Sequence, residues 1–236
     1  MPEARRAPAA AGEVIVIVAA RNEGDRIGST LRALAESLPG CELIVADDAS
    51  SDDTAAVAAA HGAEVVSRDR PAGKGGNMTA AAAIVIERAS EPEPPIFLLC
   101  DGDLGASAAE LSPLVDAVLE DECDLAIAAF RRRVGGGFGI ALRYARWAIE
   151  RRSGYRAGAP ISGQRALSAE AMRVAFPFAG GYGMEIGITV DVVRVGLRVR
   201  ELELELEHRA TGRTWGGFAH RARQLRDFTR VFRAKR

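Results

Sequence analysis

Apolar residues along the first 130 positions follow two alternating spacings. The runs Glu13 to Ala19, Glu42 to Ala46, Ala63 to Ser67, Ile96 to Cys100 and Asp124 to Phe130 are too short for helices and read as strands, most of them buried on both faces. Between them the spacing becomes helical. Ile27, Leu31, Leu34 and Leu38 recur until Pro39-Gly40, and an Ala-rich helix is closed by Gly62. Ala80 to Ile86 is an apolar helical run, and Ser107-Ala108-Ala109-Glu110 reads as a capping box opening a helix with Leu111, Leu114, Val115, Val118 and Leu119 on one face. Strand alternating with helix predicts right-handed crossovers and a mostly parallel sheet whose ligands gather at its carboxyl edge.

From Arg131 the pattern changes. Arg131 to Gly137 is a basic, glycine-rich loop that reads either as a solvated charge run or as an acceptor-binding lid, and a helix is predicted from Phe138 to Ile149. Ile161 to Leu167 reads as a short strand, Ser168 as the cap of a brief helix, and Gly180-Gly181-Tyr182-Gly183 as the entry to a helix from Met184 to Val195. Leu197 and Val199 share one parity and Leu202, Leu204 and Leu206 the other, which predicts a bulge near Arg200-Glu201. In the tail, Phe218, Ala222, Leu225, Phe228 and Phe232 share a helical face ringed by arginines, which fits packing on the domain or contact with an anionic membrane. The expected layout is a disordered tail over 1–12, one domain over 13–215 with halves meeting near 130, and a basic amphipathic helix over 216–236.

Composition narrows the classes. With 48% hydrophobic and 27% charged residues and a net charge of −1, the chain reads as a globular domain, and nothing points to nucleic acid. Cys41, Cys100 and Cys123 are odd in number and lack Cys-x-x-Cys spacing, so they read as small core residues in a reducing compartment. No apolar run reaches the roughly 18 residues of a membrane span. The expected location is cytoplasmic, including the inner face of the cell membrane if the tail helix contacts lipid.

Candidate chemistry collects at the predicted strand ends. Asp101-Gly102-Asp103 puts two carboxylates beside a core, where their desolvation demands positive charge, and the nearest basic residues in sequence are Arg88 and Arg131. A divalent cation, Mg²⁺ or Mn²⁺, is the expected compensator, because such ions take one or two carboxylates and leave their remaining positions to water and phosphates. Asp52 and Asp53 stand where they can cap the following helix, whereas Asp47 and Asp48 come too early, so a ligand-facing role is expected for at least one of that pair. Glu23 and Glu185 each read as a helix-terminus carboxylate or as a ligand contact. Lys74, between glycines at a helix start, suggests a phosphate contact without P-loop spacing, and His208 at a strand end can offer imidazole to a metal.

Taken together, Val-Ala-Ala-Arg-Asn-Glu at 18–23, Val-Ala-Asp-Asp-Ala-Ser-Ser-Asp-Asp-Thr at 45–54, Gly-Lys-Gly at 73–75 and Asp101-Gly102-Asp103 resemble glycosyltransferase family 2, closest to its dolichyl-phosphate sugar synthase-like branch. The resemblance implies an α/β GT-A fold, Rossmann-like, with a mostly parallel sheet flanked by helices and a smaller acceptor-side subregion. It implies a nucleotide-sugar half over 13–130 and an acceptor half over 131–215. It further implies that Ala20, Glu23 and Asp48 hold base and ribose, that Lys74 and Asp101 contact nucleotide or diphosphate, and that Asp103 ligates the metal. Gly181-Tyr182-Gly183-Met184-Glu185-Ile186-Gly187 and Glu207-His208-Arg209 are similar to the glucosyl- and mannosyl-3-phosphoglycerate synthases. That second likeness implies His208 as a further metal ligand, Tyr182 and Glu185 at the sugar, and Gly163 in the donor site.

Phe138 departs from this pattern, standing where the likeness would put an Arg, and so does Ile161-Ser162-Gly163-Gln164, which replaces a Pro-Leu-Ala/Gly-Gly-Glu segment. The expected reaction moves a hexose from a UDP-glucose or GDP-mannose type donor to a polyprenyl phosphate or other envelope lipid, or, as the alternative, to a small soluble acid. Asp103 and Glu185 are the expected catalytic residues. Glu185 acts as base if the enzyme inverts and positions the sugar if it retains. A peripheral membrane contact and a second copy of the chain complete the expected partners. A nucleotidyltransferase would need a Gly-rich, Arg-bearing loop where Ala20-Arg21-Asn22-Glu23 stands. A catalytically silent nucleotide-binding module is the remaining reading.

Overall fold

The computed structural model describes residues 14–130, 139–206 and 226–234. The basic loop, Phe138 and His208 lie outside the described residues. In order, the elements are β1 (Val14–Ala20), α1 (Ile27–Ser37), β2 (Glu42–Asp47), α2 (Thr54–Ala60), β3 (Glu64–Ser67), α3 (Gly73–Ala83), β4 (Ile96–Asp101), α4 (Ser112–Leu119) and β5 (Leu125–Phe130). They continue with α5 (Ile140–Ser153), β6 (Arg165–Leu167), α6 (Ala169–Ala175), α7 (Met184–Arg194) and β7 (Val199–Leu204), and a last helix, α8, spans 226–234.

The sheet runs in the order β3-β2-β1-β4-β6-β5-β7. All neighbouring pairs are parallel except those of β6, which lies antiparallel between β4 and β5. The chain leaves β1 toward β2 and β3, then returns to place β4 on the other side of β1. The strand order therefore reverses between β1 and β4, and a reversal of this kind opens a crevice beyond the carboxyl ends of the strands.

Both faces of the sheet are covered, as the continuous apolar runs predict. Val14, Val16 and Val18 of β1 pack with Ile27, Leu31 and Leu34 of α1 and with Leu114 and Val118 of α4. Ile15 and Ile17 point the opposite way, onto Met78 of α3, Met172 of α6 and Ile188 of α7. A smaller cluster joins α5, α7 and α8 through Ala145, Ile149, Val190, Phe228 and Val231. Burial pushes the Cys41 and Cys123 thiols up to about 11, so both stay protonated near neutrality, consistent with small core residues.

Four local expectations are corrected. Ser107 does not cap a helix: Gly105–Leu111 is a 3-10 turn and the Ser107 hydroxyl donates to the Leu104 carbonyl. Pro113 sets the start of α4 instead, because a residue without an N–H fits only the first turn. Only Arg165–Leu167 of the predicted 161–167 strand pairs, since β6 is a short wedge whose upstream residues turn toward the crevice. No bulge interrupts β7, which stays in register with β5 from Val199 to Leu204. The parity changes because Leu197 and Val199 pack on one face and Leu202, Leu204 and Leu206 on the other. Glu201 occupies the intervening position, accepting from the amides of Gly158 and Ala159 and from the Tyr155 hydroxyl. Finally, α5 runs past Ile149 to Ser153 and ends on Gly154, whose φ of 77° few other residues adopt.

Arg165 is fully buried. Its guanidinium donates to the carbonyls of Ser162 and Pro160 and to the Thr189 hydroxyl, tying the segment before β6 to α7. Burial lowers its pKa to about 10, partly offset by Glu185 and Glu201. Removing a costly buried charge would stabilise, but the change also strips partners from a buried carbonyl and leaves Glu185 less compensated. The second effect is the larger. Arg165→Met is expected to lower stability by about 1–3 kcal/mol in urea denaturation.

Candidate active site

The carboxyl ends of β1, β2 and β4 lie side by side, with Ala20 paired to Asp47 and Ala19 to Asp101. The two loops beyond β1 and β2 are stitched together. Asn22, in left-handed backbone at φ 55°, accepts the Ser51 amide, and the Glu23 amide donates to Thr54 Oγ1. Asp52 accepts the Thr54 and Gly24 amides, the capping role expected of it, whereas the Asp53 side chain makes no cap bond.

Asp47 and Asp48 have different tasks. Asp47 accepts from Ser50 and from the Ser67 hydroxyl, closing its own turn. Asp48 is buried and accepts the amides of Ala72 and Gly73 at 2.7 and 3.1 Å, fixing the approach to α3. That placement aims Lys74 across the crevice, where its Nζ lies 2.6 Å from Asp101 Oδ1 and 3.1 Å from Glu185 Oε1. Burial opposes the ammonium charge, but Asp101 and then Glu185 more than offset it, so Lys74 titrates above the ordinary lysine range. The positive charge that β4 requires thus comes from Lys74. Arg88, the sequence neighbour, pairs with Glu42 on the outside of the fold.

The Asp101 carboxylate is also held by the Gln164 amide at 2.7 Å. Gly102 is closely packed: a Cβ there would lie 3.0 Å from Ile27 Cδ1 and 3.2 Å from the Ala19 carbonyl, so both neighbours would have to give way slightly. Thr30 binds both Gly102 and Gly105, and Arg26 donates to the Asp103 carbonyl, so the backbone carrying Asp103 is anchored from α1.

These groups line one cavity of about 1040 Å³. It brings together Ala20, Glu23, Asp48, Lys74, Asp101, Asp103, Tyr182 and Glu185. Gly163 stands behind the cavity wall, where a Cβ would lie 2.3 Å from Lys74 Nζ. His208 lies outside the described residues. Three lining residues were not singled out from the sequence: Asn77, 1% exposed with its Oδ1 lacking a partner among the described residues, and Asp227 and Arg230 of α8. Neither was Gln164, which holds Asp101 from behind the lining. Only Asn77 carried a local signal, one turn past Lys74 on the same helix face.

The hard oxygens of Asp101 and Asp103 suit Mg²⁺ or Mn²⁺. Among the described residues no three metal-ligating side chains gather, so such an ion would complete its shell with oxygens from elsewhere.

Residues 15–174 match the profile of the family described as Glycosyl transferase family 2. The glucosyl-3-phosphoglycerate synthase of Mycolicibacterium paratuberculosis is 33% identical over 229 residues, covering 82% of this chain and 67% of its own. The undecaprenyl-phosphate mannosyltransferase of Micrococcus luteus is 27% identical over 220 residues, covering 84% and 85%. Among solved structures, glucosyl-3-phosphoglycerate synthase from Mycobacterium tuberculosis with Mg²⁺ and UDP superposes with a TM-score of 0.75 at 29% identity, over 95% of this chain and 80% of the other. The same enzyme with Mn²⁺, UDP and glucosyl-3-phosphoglycerate gives 0.72 at 26% identity, again over 95% and 80%. The chain spans only 64% of the length of the curated M. tuberculosis synthase.

Proposed function

The chain belongs to glycosyl transferase family 2, with the GT-A fold, and from that premise we propose that it transfers a hexose from a UDP-sugar to a phosphate-bearing acceptor. What supports this most is that Lys74, Asp101, Asp103 and Glu185, from three separate segments, meet in one cavity at the reversal point of the sheet. A related synthase binds UDP with Mg²⁺.

In this reading the loop ordered by Asp48 and the wall at Ala20 and Glu23 seat base and ribose. Lys74 stays protonated and offsets diphosphate charge. Gln164 and Lys74 keep Asp101 from turning away, and Tyr182 and Glu185 face the sugar. The ion, with Asp103 as its main protein ligand and His208 as a further one, would stabilise negative charge on the departing diphosphate.

Incubation with Mn²⁺, a panel of nucleotide sugars and either 3-phosphoglycerate or a detergent-solubilised polyprenyl phosphate tests the reading. Acceptor-dependent UDP release is expected. Pyrophosphate release would mean a nucleotidyltransferase, and no turnover with any pair would leave a silent binding module. Proton NMR of the new anomeric linkage then assigns Glu185, as base if the configuration inverts and as a sugar-positioning group if it is retained. The lipid acceptor is kept as a second reading because Trp147 is 49% exposed and its ring lies 4.7 Å from that of Phe232 on α8, beside Arg152.

Gly163→Ala would drive a methyl into the Lys74–Asp101 pair. An affinity for UDP about tenfold weaker is expected by calorimetry, roughly the worth of one charge-assisted hydrogen bond.

A further inference from the structure

The cations of the cavity are not equivalent. Lys74 is taken by Asp101 and Glu185, Arg21 stands 3.8 Å from Asp48, and Arg226 stands 3.6 Å from Asp227. Arg230 also lines the cavity, is exposed, and makes no ion pair or hydrogen bond among the described residues. It is the one lining cation whose charge no neighbour there meets, and it lies one helical turn from Arg226, on the same face.

The helix that carries both arginines is firmly seated. Phe228 and Val231 are buried against α5 and α7, with the Phe228 ring parallel to Tyr144 at 6.5 Å. Asp227, also buried, accepts the Tyr182 amide at 3.3 Å. It fits there because residue 181 is glycine: a Cβ would lie 2.1 Å from Asp227 Oδ2, and the φ of +60° suits glycine. Asp227 therefore locks α8 to the turn that leads into Glu185, and Arg230, Val231 and Ala234 face the cavity. That turn carries Tyr182 and leads into Glu185, the two groups set against the sugar in the reading above.

We propose that α8 completes the acceptor side of the cavity and that Arg230, assisted by Arg226, binds a phosphate monoester on the acceptor. This rests on the transferase reading above. Two guanidinium groups held one turn apart on a fixed helix present several donors to one phosphate, a geometry that a single flexible lysine does not supply. The phosphate can belong to a small acid or to a lipid, and the two probes below separate them.

The test is calorimetric binding to protein preloaded with UDP and Mn²⁺, with 3-phosphoglycerate in one arm and a short polyprenyl phosphate in detergent in the other. Wild type is expected to bind one probe, and Arg230→Ala to bind that probe roughly 10- to 100-fold more weakly, with UDP affinity unchanged. Arg226→Ala should show a smaller loss in the same arm. Arg233→Ala, on an exposed position that does not line the cavity, should show none. A parallel fall in UDP affinity would mean that the arginines grip the donor and would overturn the proposal. So would unchanged probe affinity in Arg230→Ala, or a wild type that binds UDP but neither probe. A wild type that does not bind UDP at all would remove the transferase reading itself.

Discussion

Asp103→Ala is expected to lower Mn²⁺-dependent turnover by about 10² to 10³, the usual loss on removing one stabiliser of developing charge. Asp101 is a weaker replacement, because each of its oxygens already accepts a hydrogen bond, from Lys74 and from Gln164. The backbone at 103 is anchored by Arg26 and Thr30 independently of the side chain, so the variant should unfold at nearly the wild-type denaturant concentration. Turnover and Mn²⁺-dependent UDP affinity should fall together. A variant that keeps turnover close to wild type with Mn²⁺ would show that Asp103 is not the metal ligand.

Lys74→Met should damage both stability and activity. Lys74 is the shared partner of Asp101 and of the buried Glu185, and the methionine would remove the one cation in direct contact with both carboxylates. Breaking a sealed ion pair costs about 3–5 kcal/mol, and access from the cavity reduces this to about 2 kcal/mol here. The sign with pH follows from the raised lysine pKa. Its contribution is complete below the ordinary lysine value of about 10.4 and is lost only in strong alkali, so wild type should show no loss from this source across neutral pH. Urea titrations of wild type and variant at pH 7.5 and 9 would check this: the deficit should be the same at both, and one that shrinks between them would contradict the raised lysine pKa. Turnover should fall by about 10² or more if, as proposed, this charge also faces the diphosphate.

The strands and their faces were readable because burial is periodic over a few residues: Val14, Val16 and Val18 against Ile15 and Ile17 already separate the two layers. Misreadings arose where a local signal had a stronger competitor. The Ser107 capping pattern yielded to Pro113, and the parity change in β7 came from a change of packing face with no inserted residue. Asp47 and Asp48 stood out as a pair because both precede the helix by too many residues to cap it, and position alone left open which of them faces a ligand. The bonds of Asp48, to the amides of Ala72 and Gly73, reach 24 and 25 residues along the chain.

The order of strands and helices and the carboxylates at the ends of β2 and β4 follow from the sequence alone, since each depends on neighbours within one element. Which charges meet depended on the tertiary structure. Lys74 finds Asp101 and Glu185, Gln164 reaches Asp101 across 63 positions, and Asp227 docks on Tyr182 across 45. Coulombic and hydrogen-bond energies act through distances of a few ångströms in space, and separation along the chain carries no information about those distances until the sheet and its helices are packed.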